Sequence, residues 1–479
     1  MYKIPFNMNV INNLEKNSKK FPDKNAIIFE DKKISYKELY QKVQNFSLPN
    51  VEKQVVSLIS ENSISFIITY LGIINAGKIV HIASPNILEN DLFNQTKSAN
   101  SCLIICSEKV FNNISKYSKI KIPILKFSEL KTNGDLEKTN KENKIAHLIY
   151  TSGTTSEPKG VGITHSMIEF TTKNIINILD YSSSDIDVLP LPLNHSFGLG
   201  CFHVSMSVGS TLILHKDTSN LQSLLESIIK FNATTIALIP ATLTKFLKLD
   251  KIKLDDYFLN IRLVITNSTT IPKNTIQSFR DILKNGNLAT YYGLTEASRS
   301  TFMIFQDDIT RDNSVGRPAP GVSIRIENNE IDTGEILIKG KNVISNYWKN
   351  EIADKNFIDG WLKTGDVGYL DEENFLFLKG RKDDIINIGG EKINPQEIEV
   401  IVKQLEGIEE VVAFGIENEI FGQVVKLHIV KSIESNLDKS KILIHCMKNL
   451  EKFKIPTKID FVEKIPKTSY GKVKRFMLK

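Results

Sequence analysis

The stretch YTSGTTSEPKG, from Tyr150 to Gly160, concentrates unusual chemistry in a short segment. It holds five Ser or Thr hydroxyls, two glycines, one proline and one lysine. Glycine-rich loops bind phosphate through backbone N–H groups, and a lysine adds positive charge. The Walker pattern GxxxxGK[ST] fails, because Pro158 and Gly160 stand where its second glycine and its hydroxyl residue belong. The stretch alone therefore fits either a phosphate loop of another type or an ordinary Ser/Thr-rich turn.

The chain around this stretch is long enough for more than one domain. Its 479 residues exceed the size of a usual single hydrophobic core. Hydrophobic residues make up 41% and charged residues 24%, which is typical of globular proteins. The N-terminal sequence lacks the pattern of a signal peptide, and no apolar run is long enough to span a bilayer. We therefore expect a cytoplasmic protein without a membrane anchor.

Cysteine spacing and charge limit the partners further. The four cysteines show no metal-ligand spacing, so neither a disulfide framework nor a zinc site is predicted. The net charge of +6 is mild for this length. Basic residues interleaved with stacking aromatics would indicate a nucleic-acid partner, and the sequence lacks that pattern.

Alternating strand and helix signals run through most of the chain and predict an α/β fold. The segment AIIFEDKKISYKELYQKV predicts a hairpin and then a helix, with Ser35 and Glu38 spaced as a capping box. Continuous apolar strands such as VVSLI are expected in parallel sheets covered on both faces. We predict a large N-terminal domain of several subdomains, with parallel-rich sheets flanked by helices. A small β subdomain is expected at about residues 314–380, followed by a small α+β domain.

Five further motifs follow the opening stretch in chain order. They are PLNHSFG (192–198), YYGLTEAS (291–298), WLKTGDVG (361–368), GRKDDIINIGGEKINPQEIE (380–399) and PKTSYGKVKR (466–475). With these motifs the chain resembles the adenylate-forming superfamily of acyl- and aryl-CoA synthetases, nonribosomal peptide adenylation domains and luciferases. The resemblance covers nearly the whole chain. It implies an N-terminal AMP-binding domain at residues 1–380, a mobile C-terminal lid at residues 381–479 and a hinge near Asp383.

The resemblance also implies an activity, that of an AMP-forming acid–thiol ligase. A carboxylate would attack the α-phosphate of ATP, giving an acyl-adenylate and pyrophosphate, with Mg²⁺ as the metal. The thiol of CoA or of a phosphopantetheinyl carrier protein would then take the acyl group as a thioester and release AMP. Two alternatives stay open. One is an acyl-AMP ligase that passes the acyl group to an amine or only to a carrier, and the other is a non-catalytic nucleotide-binding relative.

Site residues are carried over from the family motifs position by position. Phosphate-binding residues in the opening loop are expected to be Thr151, Ser152, Gly153, Thr154, Thr155 and Lys159. The resemblance assigns adenine stacking to Tyr292, the ribose hydroxyls to Asp366, and a supporting position near ribose or phosphate to Arg381. Family members usually have glycine at the position of Ser156, and a side chain there is expected to stiffen the loop.

The chemical steps are assigned to a second set of residues. The resemblance implies that Thr295 reaches the α-phosphate and that Glu296 ligates Mg²⁺, which prefers carboxylate oxygens. Lys472 would contact the carboxylate and the adenylate ester oxygens during the first step. Gly389 and Gly390 match the stretch that lines the thiol tunnel.

The motifs also predict which residues surround the acid substrate. The expected pocket residues are His195, Asn267, Ser268, Tyr291 and Gly293. The pocket motif lacks the aspartate with which amino-acid-activating members hold an ammonium group, so an α-amino acid is disfavoured. Tyr291 is bulky where relatives often have Gly or Ala, which favours a small or medium acyl or aryl acid. His195 is assigned to catalysis and to the pocket, although a lone histidine is often a structural hydrogen-bonding residue.

Overall fold

The computed structural model describes residues 10–49, 53–130, 144–151, 159–249, 251–267, 271–330, 333–349, 353–382, 384–388, 391–432, 435–467 and 473–478. The chain forms two compact units. Unit 1 comprises Met1–Ile324, Ile338–Leu362 and Asp371–Leu376, and unit 2 comprises Arg325–Leu337, Lys363–Leu370 and Phe377–Lys479. The predicted boundary after residue 380 stays a prediction, and Asp383, the predicted hinge, lies outside the described residues.

Strands and helices alternate before residue 320. The strands are β1 (Asn25–Phe29), β2 (Lys32–Ser35), β3 (Val55–Ile59), β4 (Ile79–Ala83), β5 (Ser101–Cys106), β6 (Ile124–Lys126), β7 (Ile145–Thr151), β8 (Lys159–Thr164), β9 (Ile186–Leu189), β10 (Thr211–Leu214), β11 (Thr235–Ala237), β12 (Leu263–Asn267), β13 (Asn287–Tyr292), β14 (Thr301–Ile304) and β15 (Arg317–Pro318). The helices are α1 (Val10–Lys20), α2 (Tyr36–Gln44), α3 (Ile64–Asn75), α4 (Glu89–Ala99), α5 (Glu108–Ile114), α6 (His165–Leu179), α7 (Ser196–Val208), α8 (Leu221–Phe231), α9 (Pro240–Phe246), α10 (Lys251–Tyr257) and α11 (Lys273–Ile282).

Two mixed, largely parallel sheets organise unit 1. The first has the order β15-β14-β13-β12-β11-β9-β10-β1-β2, and the second has the order β6-β5-β3-β4-β7-β8. Every residue of β3 and β4 is buried. This confirms the expectation from their continuous apolar sequences, since strands of parallel sheets are covered on both faces. Each buried Val or Ile side chain contributes about 1.5–3 kcal/mol to folding.

The start of α2 shows how local sequence places an element. The Ser35 side chain accepts a bond from the Glu38 N–H, and the Glu38 side chain accepts one from the Ser35 N–H. The two residues form the predicted capping box, which satisfies two backbone donors that the helix leaves unpaired. The preceding β1 and β2 form the predicted antiparallel hairpin.

The remaining chain forms smaller sheets. Its elements are β16 (Val322–Glu330), β17 (Thr333–Gly340), β18 (Phe357–Ile358), β19 (Trp361–Leu370), β20 (Leu376–Arg381), β21 (Ile386–Ile388), β22 (Glu391–Ile393), α12 (Pro395–Val402), β23 (Ile408–Asn418), β24 (Gly422–Lys431), α13 (Lys439–Asn449) and β25 (Lys458–Phe461). One sheet has the order β16-β17-β19-β18 with β20 paired to β19, and its residues fall in both units. Another, within unit 2, has the order β22-β21-β24-β23 with β25 paired to β24. This sheet shares a buried core with α12 and α13.

A buried polar network joins β7 to α7 inside unit 1. The Tyr70 hydroxyl lies 3.1 Å from Nδ1 of His147 and 2.9 Å from Nε2 of His203. Burial lowers the pKa of His147 to about 3 and lowers the pKa of His203 well below its usual range, so both rings are neutral. Because a hydroxyl both donates and accepts, it can serve two neutral rings at once. The network fixes the strand that leads to Thr151 against the helix that follows His195.

Candidate functional site

Glu296 is the centre of a polar cluster in unit 1. Its Oε1 accepts bonds from the Thr151 hydroxyl at 3.3 Å and from the Tyr347 hydroxyl at 3.2 Å. The Lys159 ammonium lies 5.4 Å from the centroid of the Tyr347 ring. A carboxylate, two hydroxyls and an ammonium therefore converge from segments far apart in sequence, a set that suits a metal-bound polyphosphate.

The ends of β7 and β8 bring Thr151 and Lys159 together. The strands pair antiparallel, and these two residues stand opposite each other in the final register position. The Trp348 N–H donates to the Gly160 carbonyl at 2.8 Å, and its indole Nε1 donates to the Ser98 carbonyl at 3.2 Å. These bonds hold the start of β8 in place. The opening loop thus begins and ends at fixed, neighbouring positions.

The YYGLTEAS motif forms the end of β13 and the turn after it. Tyr292 is the last residue of the strand and is buried, whereas Thr295 and Glu296 in the turn are half-buried. The turn is closed by reciprocal backbone bonds between Leu294 and Ala297. Gly293 is required there, because an added Cβ would lie 2.5 Å from the backbone nitrogen of Arg299.

The predicted acyl pocket collects residues from three elements. Asn267 ends β12 and pairs in register with Tyr291 of β13. The Tyr291 ring lies edge-on to the Phe197 ring at 5.2 Å between centroids. Burial raises the pKa of Tyr291, so its phenol is neutral. The predicted pocket residue Tyr291 therefore packs against a second aromatic ring, and Asn267 lies beside it in the sheet.

His195 caps α7 at its N-terminus. Its Nδ1 accepts a bond from the Phe197 N–H at 3.3 Å, so the neutral ring carries its proton on Nε2. This is the structural role that the sequence left open for a lone histidine. Its predicted catalytic role stays a prediction.

Asp366 and Arg381 are brought together in unit 2. Arg381 Nη1 donates to Asp366 Oδ1 at 2.9 Å and to the Thr364 carbonyl at 3.2 Å. Gly365 has a left-handed φ of 71°, and an added Cβ would lie 3.1 Å from Arg381 Nη2. The predicted ribose ligand and its predicted supporting cation are thus neighbours. A carboxylate can accept about four hydrogen bonds, so sugar hydroxyls can bind beside the arginine.

A second ion-pair cluster follows the predicted catalytic lysine in unit 2. Arg475 binds Glu399 at 2.8 Å, Asp384 at 3.2 Å and the Ala413 carbonyl at 2.5 Å. An antiparallel bridge between Lys467 and Val473 brackets the segment before it. Lys472 itself lies outside the described residues, as do seven other predicted site residues: Ser152, Gly153, Thr154, Thr155, Ser268, Gly389 and Gly390. Their roles stay predictions.

Two residues of the site were missed by sequence reasoning. Tyr347 contacts both Glu296 and Lys159, but it lies 51 residues beyond the glutamate and no motif indicated it. Arg299 stands three residues after Glu296 and places its guanidinium 4.9 Å from the Tyr291 ring. The position of Arg299 directly after the YYGLTEAS motif is the feature of the sequence that could have indicated it.

Metal binding can be judged from the same residues. In the part of the chain that the structure describes, no group of three or more His, Cys, Asp or Glu side chains is arranged to hold a metal ion. Mg²⁺ usually binds one or two carboxylates together with substrate phosphates and water. Glu296, with Thr151 beside it, fits that mode of binding.

Two family models match this chain. The model of the AMP-binding enzyme matches residues 14–348, and the model of the AMP-binding enzyme C-terminal domain matches residues 397–472. The chain belongs to the AMP-binding enzyme family. The resemblance inferred from the motifs is thereby confirmed.

Individual relatives match this chain over nearly its whole length. The chain is 30% identical over 481 residues to the 2-succinylbenzoate–CoA ligase of Listeria monocytogenes serovar 1/2a, covering 97% of this chain and 98% of that protein. It is 29% identical to the long-chain-fatty-acid–CoA ligase of Bacillus subtilis, covering 95% and 91%. The solved o-succinylbenzoate CoA synthetase of Bacillus subtilis with its acyl-adenylate has a TM-score of 0.86, with 24% identity and 98% of both chains covered.

These matches test the predictions about fold and enzyme class. The structural likeness confirms the α/β fold with a large N-terminal part and a smaller C-terminal part. The family and its named members confirm the enzyme class, that of an AMP-forming acid–thiol ligase. The o-succinylbenzoate CoA synthetase of Bacillus subtilis has also been solved in complex with ATP and a magnesium ion. Across the described segments, the helices are too short or too polar to cross a bilayer.

Proposed function

We propose that this enzyme joins 2-succinylbenzoate to CoA at the expense of ATP, releasing AMP and pyrophosphate. Support for the class of reaction comes from the bonds of Thr151 and Tyr347 to Glu296 and from the Lys159 ammonium beside the Tyr347 ring. Support for the acid comes from full-length relatives that carry this activity in their names. An aromatic pocket wall at Tyr291 and Phe197 agrees with an aryl acid.

In the first step a carboxylate oxygen attacks the α-phosphorus of ATP, and the bond to the bridging oxygen of pyrophosphate breaks. Both reactants are anions, so the enzyme must supply positive charge and alignment. Lys159 and the opening loop would hold the leaving phosphates, and Thr295 the α-phosphate. Lys472 would neutralise the attacking carboxylate. Mg²⁺ bound by Glu296 would supply further charge neutralisation on the phosphate oxygens.

The adenosine half of the nucleotide would be held by residues that the family motifs assign to it. Tyr292 would stack on adenine, and Asp366 would accept bonds from the ribose hydroxyls. Arg381 would keep that carboxylate in place through its 2.9 Å bond. Bonds to ribose position the α-phosphate. Substitutions at Asp366 or Arg381 would therefore lower the rate of the chemical step as well as the affinity for ATP.

In the second step the sulfur of CoA attacks the carbonyl carbon of the adenylate, and AMP leaves. Free CoA is preferred over a carrier protein, because the named relatives are CoA ligases. Gly389 and Gly390 would line the path of the thiol. We further propose that residues 381–479 turn about a hinge near Asp383 between the two steps, and that the enzyme works in the cytoplasm.

The test measures pyrophosphate release from ATP and Mg²⁺ with a panel of acids that includes 2-succinylbenzoate, benzoate, octanoate and palmitate. Lys472→Ala is compared with Lys464→Ala, a matched change at an exposed lysine of the same terminal segment. We expect release with 2-succinylbenzoate that falls at least 100-fold in Lys472→Ala and stays near wild type in Lys464→Ala. Release that rises with chain length up to palmitate would refute the proposed acid.

The acceptor is tested separately by adding thiols to the trapped adenylate. CoA should yield the aryl thioester at a rate that pantetheine, which lacks the nucleotide part, does not match. Product that forms only with a phosphopantetheinyl carrier protein, or with an amine alone, would favour the acyl-AMP ligase alternative.

A further inference from the structure

Arg299 is a buried cation beside the predicted acyl pocket. Only about 4% of the residue is exposed, and its φ of 54° lies in the left-handed region that side-chain-bearing residues rarely adopt. The guanidinium carbon lies 4.9 Å from the centroid of the Tyr291 ring, and Phe197 contacts the same ring. A buried charge on a residue with an unfavourable backbone conformation is a reason to look for a function.

The partners of this guanidinium are all neutral. Nη2 donates to the Phe197 carbonyl at 3.1 Å, and Nη1 donates to the Ser298 hydroxyl at 2.8 Å. A longer bond of 3.4 Å joins Nη1 to the Ser196 carbonyl. The Nε atom is buried and has no hydrogen-bond partner in the described structure. The long bond is weak, so an incoming acceptor could replace it at little cost.

The thiol of Cys201 also lies against the guanidinium. Burial raises its pKa to about 12, although the nearby Arg299 charge acts to lower it. The thiol is therefore protonated at neutral pH. Among the described partners of Arg299 there is no carboxylate, which is unusual because buried charges are normally paired.

Two glycines make room for the arginine. A Cβ on Gly200 of α7 would lie 2.2 Å from Arg299 Nη2, and a Cβ on Gly293 would lie 2.5 Å from its backbone nitrogen. Any side chain at Gly200 would displace the guanidinium. Glycine at position 200 of α7 therefore leaves the space that the Arg299 guanidinium occupies.

We propose that Arg299 binds a second carboxylate on the acid substrate and thereby selects dicarboxylic acids. The buried charge, its neutral partners and its place over the ring of the predicted pocket residue Tyr291 all fit an anion supplied by the ligand. A guanidinium binds a carboxylate through two parallel N–H bonds, which fixes orientation as well as charge. The proposal rests on the proposed function, since it concerns the far end of the acid that this enzyme activates.

The chemistry of the candidate acids agrees with this role. 2-Succinylbenzoate carries one carboxylate on its chain and one on its ring, so activation of one leaves the other as an anion. A fatty acid has no second anion and would leave the buried guanidinium without a negative partner. Sites that leave a buried polar group unpaired reject the wrong substrate strongly.

The experiment compares 2-succinylbenzoate with 4-oxo-4-phenylbutanoate, which is the same acid without its ring carboxylate. Pyrophosphate release is measured for the wild type, Arg299→Gln, Arg299→Lys and Gly200→Ala. The control is Arg280→Gln, because Arg280 is also a largely buried arginine of unit 1 but pairs with Asp312. Thermal unfolding of each variant shows how much of the protein is folded.

We expect Arg299→Gln to lower kcat/KM for 2-succinylbenzoate by about 10- to 100-fold, the loss typical of a hydrogen bond to a charged group. Activity with 4-oxo-4-phenylbutanoate should change by less than threefold, so the preference between the two acids collapses. Arg299→Lys should restore part of the preference, and Gly200→Ala should lose it. Arg280→Gln should leave the ratio unchanged even if its unfolding temperature falls.

Four results would contradict the proposal or the acid on which it rests. Equal losses for both acids in Arg299→Gln would show a structural role and overturn the proposal, as would an unchanged preference. If the wild type prefers a different dicarboxylic acid and Arg299→Gln removes that preference, the proposed acid is wrong and the role of Arg299 stands. Wild-type activity only with monocarboxylic acids would overturn both.

Discussion

Arg475 and Glu399 form an ion pair in unit 2 whose two members should contribute unequally to stability. The Arg475 side chain is 13% exposed and the Glu399 side chain 17% exposed, and the pair is 2.8 Å apart. Arg475 also binds Asp384 and the Ala413 carbonyl. Arg475→Met would therefore leave two carboxylates and one carbonyl without their cation.

The expected magnitudes follow from these contacts. Removing one member of a buried ion pair costs about 3–5 kcal/mol. Because the Arg475 and Glu399 side chains are partly exposed, we expect Arg475→Met to cost about 3 kcal/mol. Burial raises the pKa of Glu399 above its ordinary value of 4.5 and outweighs the nearby Arg475 and the Ala413 N–H, which act to lower it. The charged form is thus disfavoured by folding. Glu399→Gln, which removes that charge and keeps the volume, should cost about 1 kcal/mol or less at pH 7.

The pH dependence has a definite sign. Because the folded pKa of Glu399 is raised, its contribution to stability is fully present below pH 4.5 and is lost as pH rises through the folded pKa. The wild type should therefore lose stability relative to Glu399→Gln over that interval. The difference between the two proteins is then larger at pH 4 than at pH 7.

These changes are measured by hydrogen exchange of the full chain. Exchange in β23 and β24, the long central strands of the unit 2 sheet, gives the free energy of opening that sheet. Lys467→Met is the control, because its pair with Glu410 is 35% and 39% exposed and should be worth less than about 1 kcal/mol. The reasoning fails if Glu399→Gln at pH 7 lowers the opening free energy as much as Arg475→Met does.

Three further outcomes are expected. Glu296→Gln should lower acid-dependent pyrophosphate release by about 100-fold and raise the Mg²⁺ concentration needed for half-maximal rate; an unchanged Mg²⁺ requirement would exclude Glu296 as a ligand. Tyr347→Phe, which removes the 3.2 Å bond to Glu296, should lower the same rate by about two- to tenfold with little change in unfolding temperature. Arg262→Met should destabilise unit 1 by about 2 kcal/mol at pH 7, as read from exchange in β9. Burial acts to raise the pKa of its partner Asp185, but the bonds from Arg262 and from the Ser182 N–H lower that pKa below 3.8. The stabilisation from this ion pair is therefore present above pH 3.8 and is lost as pH falls through the folded pKa of Asp185. At such low pH, Arg262→Met and the wild type should have similar stabilities.

Local sequence was sufficient for the elements and for the motif residues. The apolar runs of β3 and β4 determine burial on both faces, and the spacing of Ser35 and Glu38 determines a helix start. The burial of these strands and the start of this helix both depend on residues that are close together in the sequence. The YYGLTEAS motif likewise places Thr295 and Glu296 in one turn at the end of a strand.

Contacts between distant segments could not be obtained in this way. Tyr347 meets Glu296, and Arg299 meets Phe197, only because the sheets and α7 bring separate stretches together. The capping role of His195 depends on where α7 begins, which its own motif does not specify. Hydrophobic periodicity carries no information about such pairings, because it reports one element at a time.

The register at the ends of β7 and β8 has an evolutionary consequence. Thr151 and Lys159 are paired in the sheet, so the residues between them connect two points whose separation the sheet determines. Doubling the length of such a connection adds only about 0.6 kcal/mol of closure entropy. Insertions, deletions or wholesale exchange between these two residues should leave the six-stranded sheet folded. Descendants of this chain could therefore change how they bind the nucleotide's phosphates by replacing this one short loop.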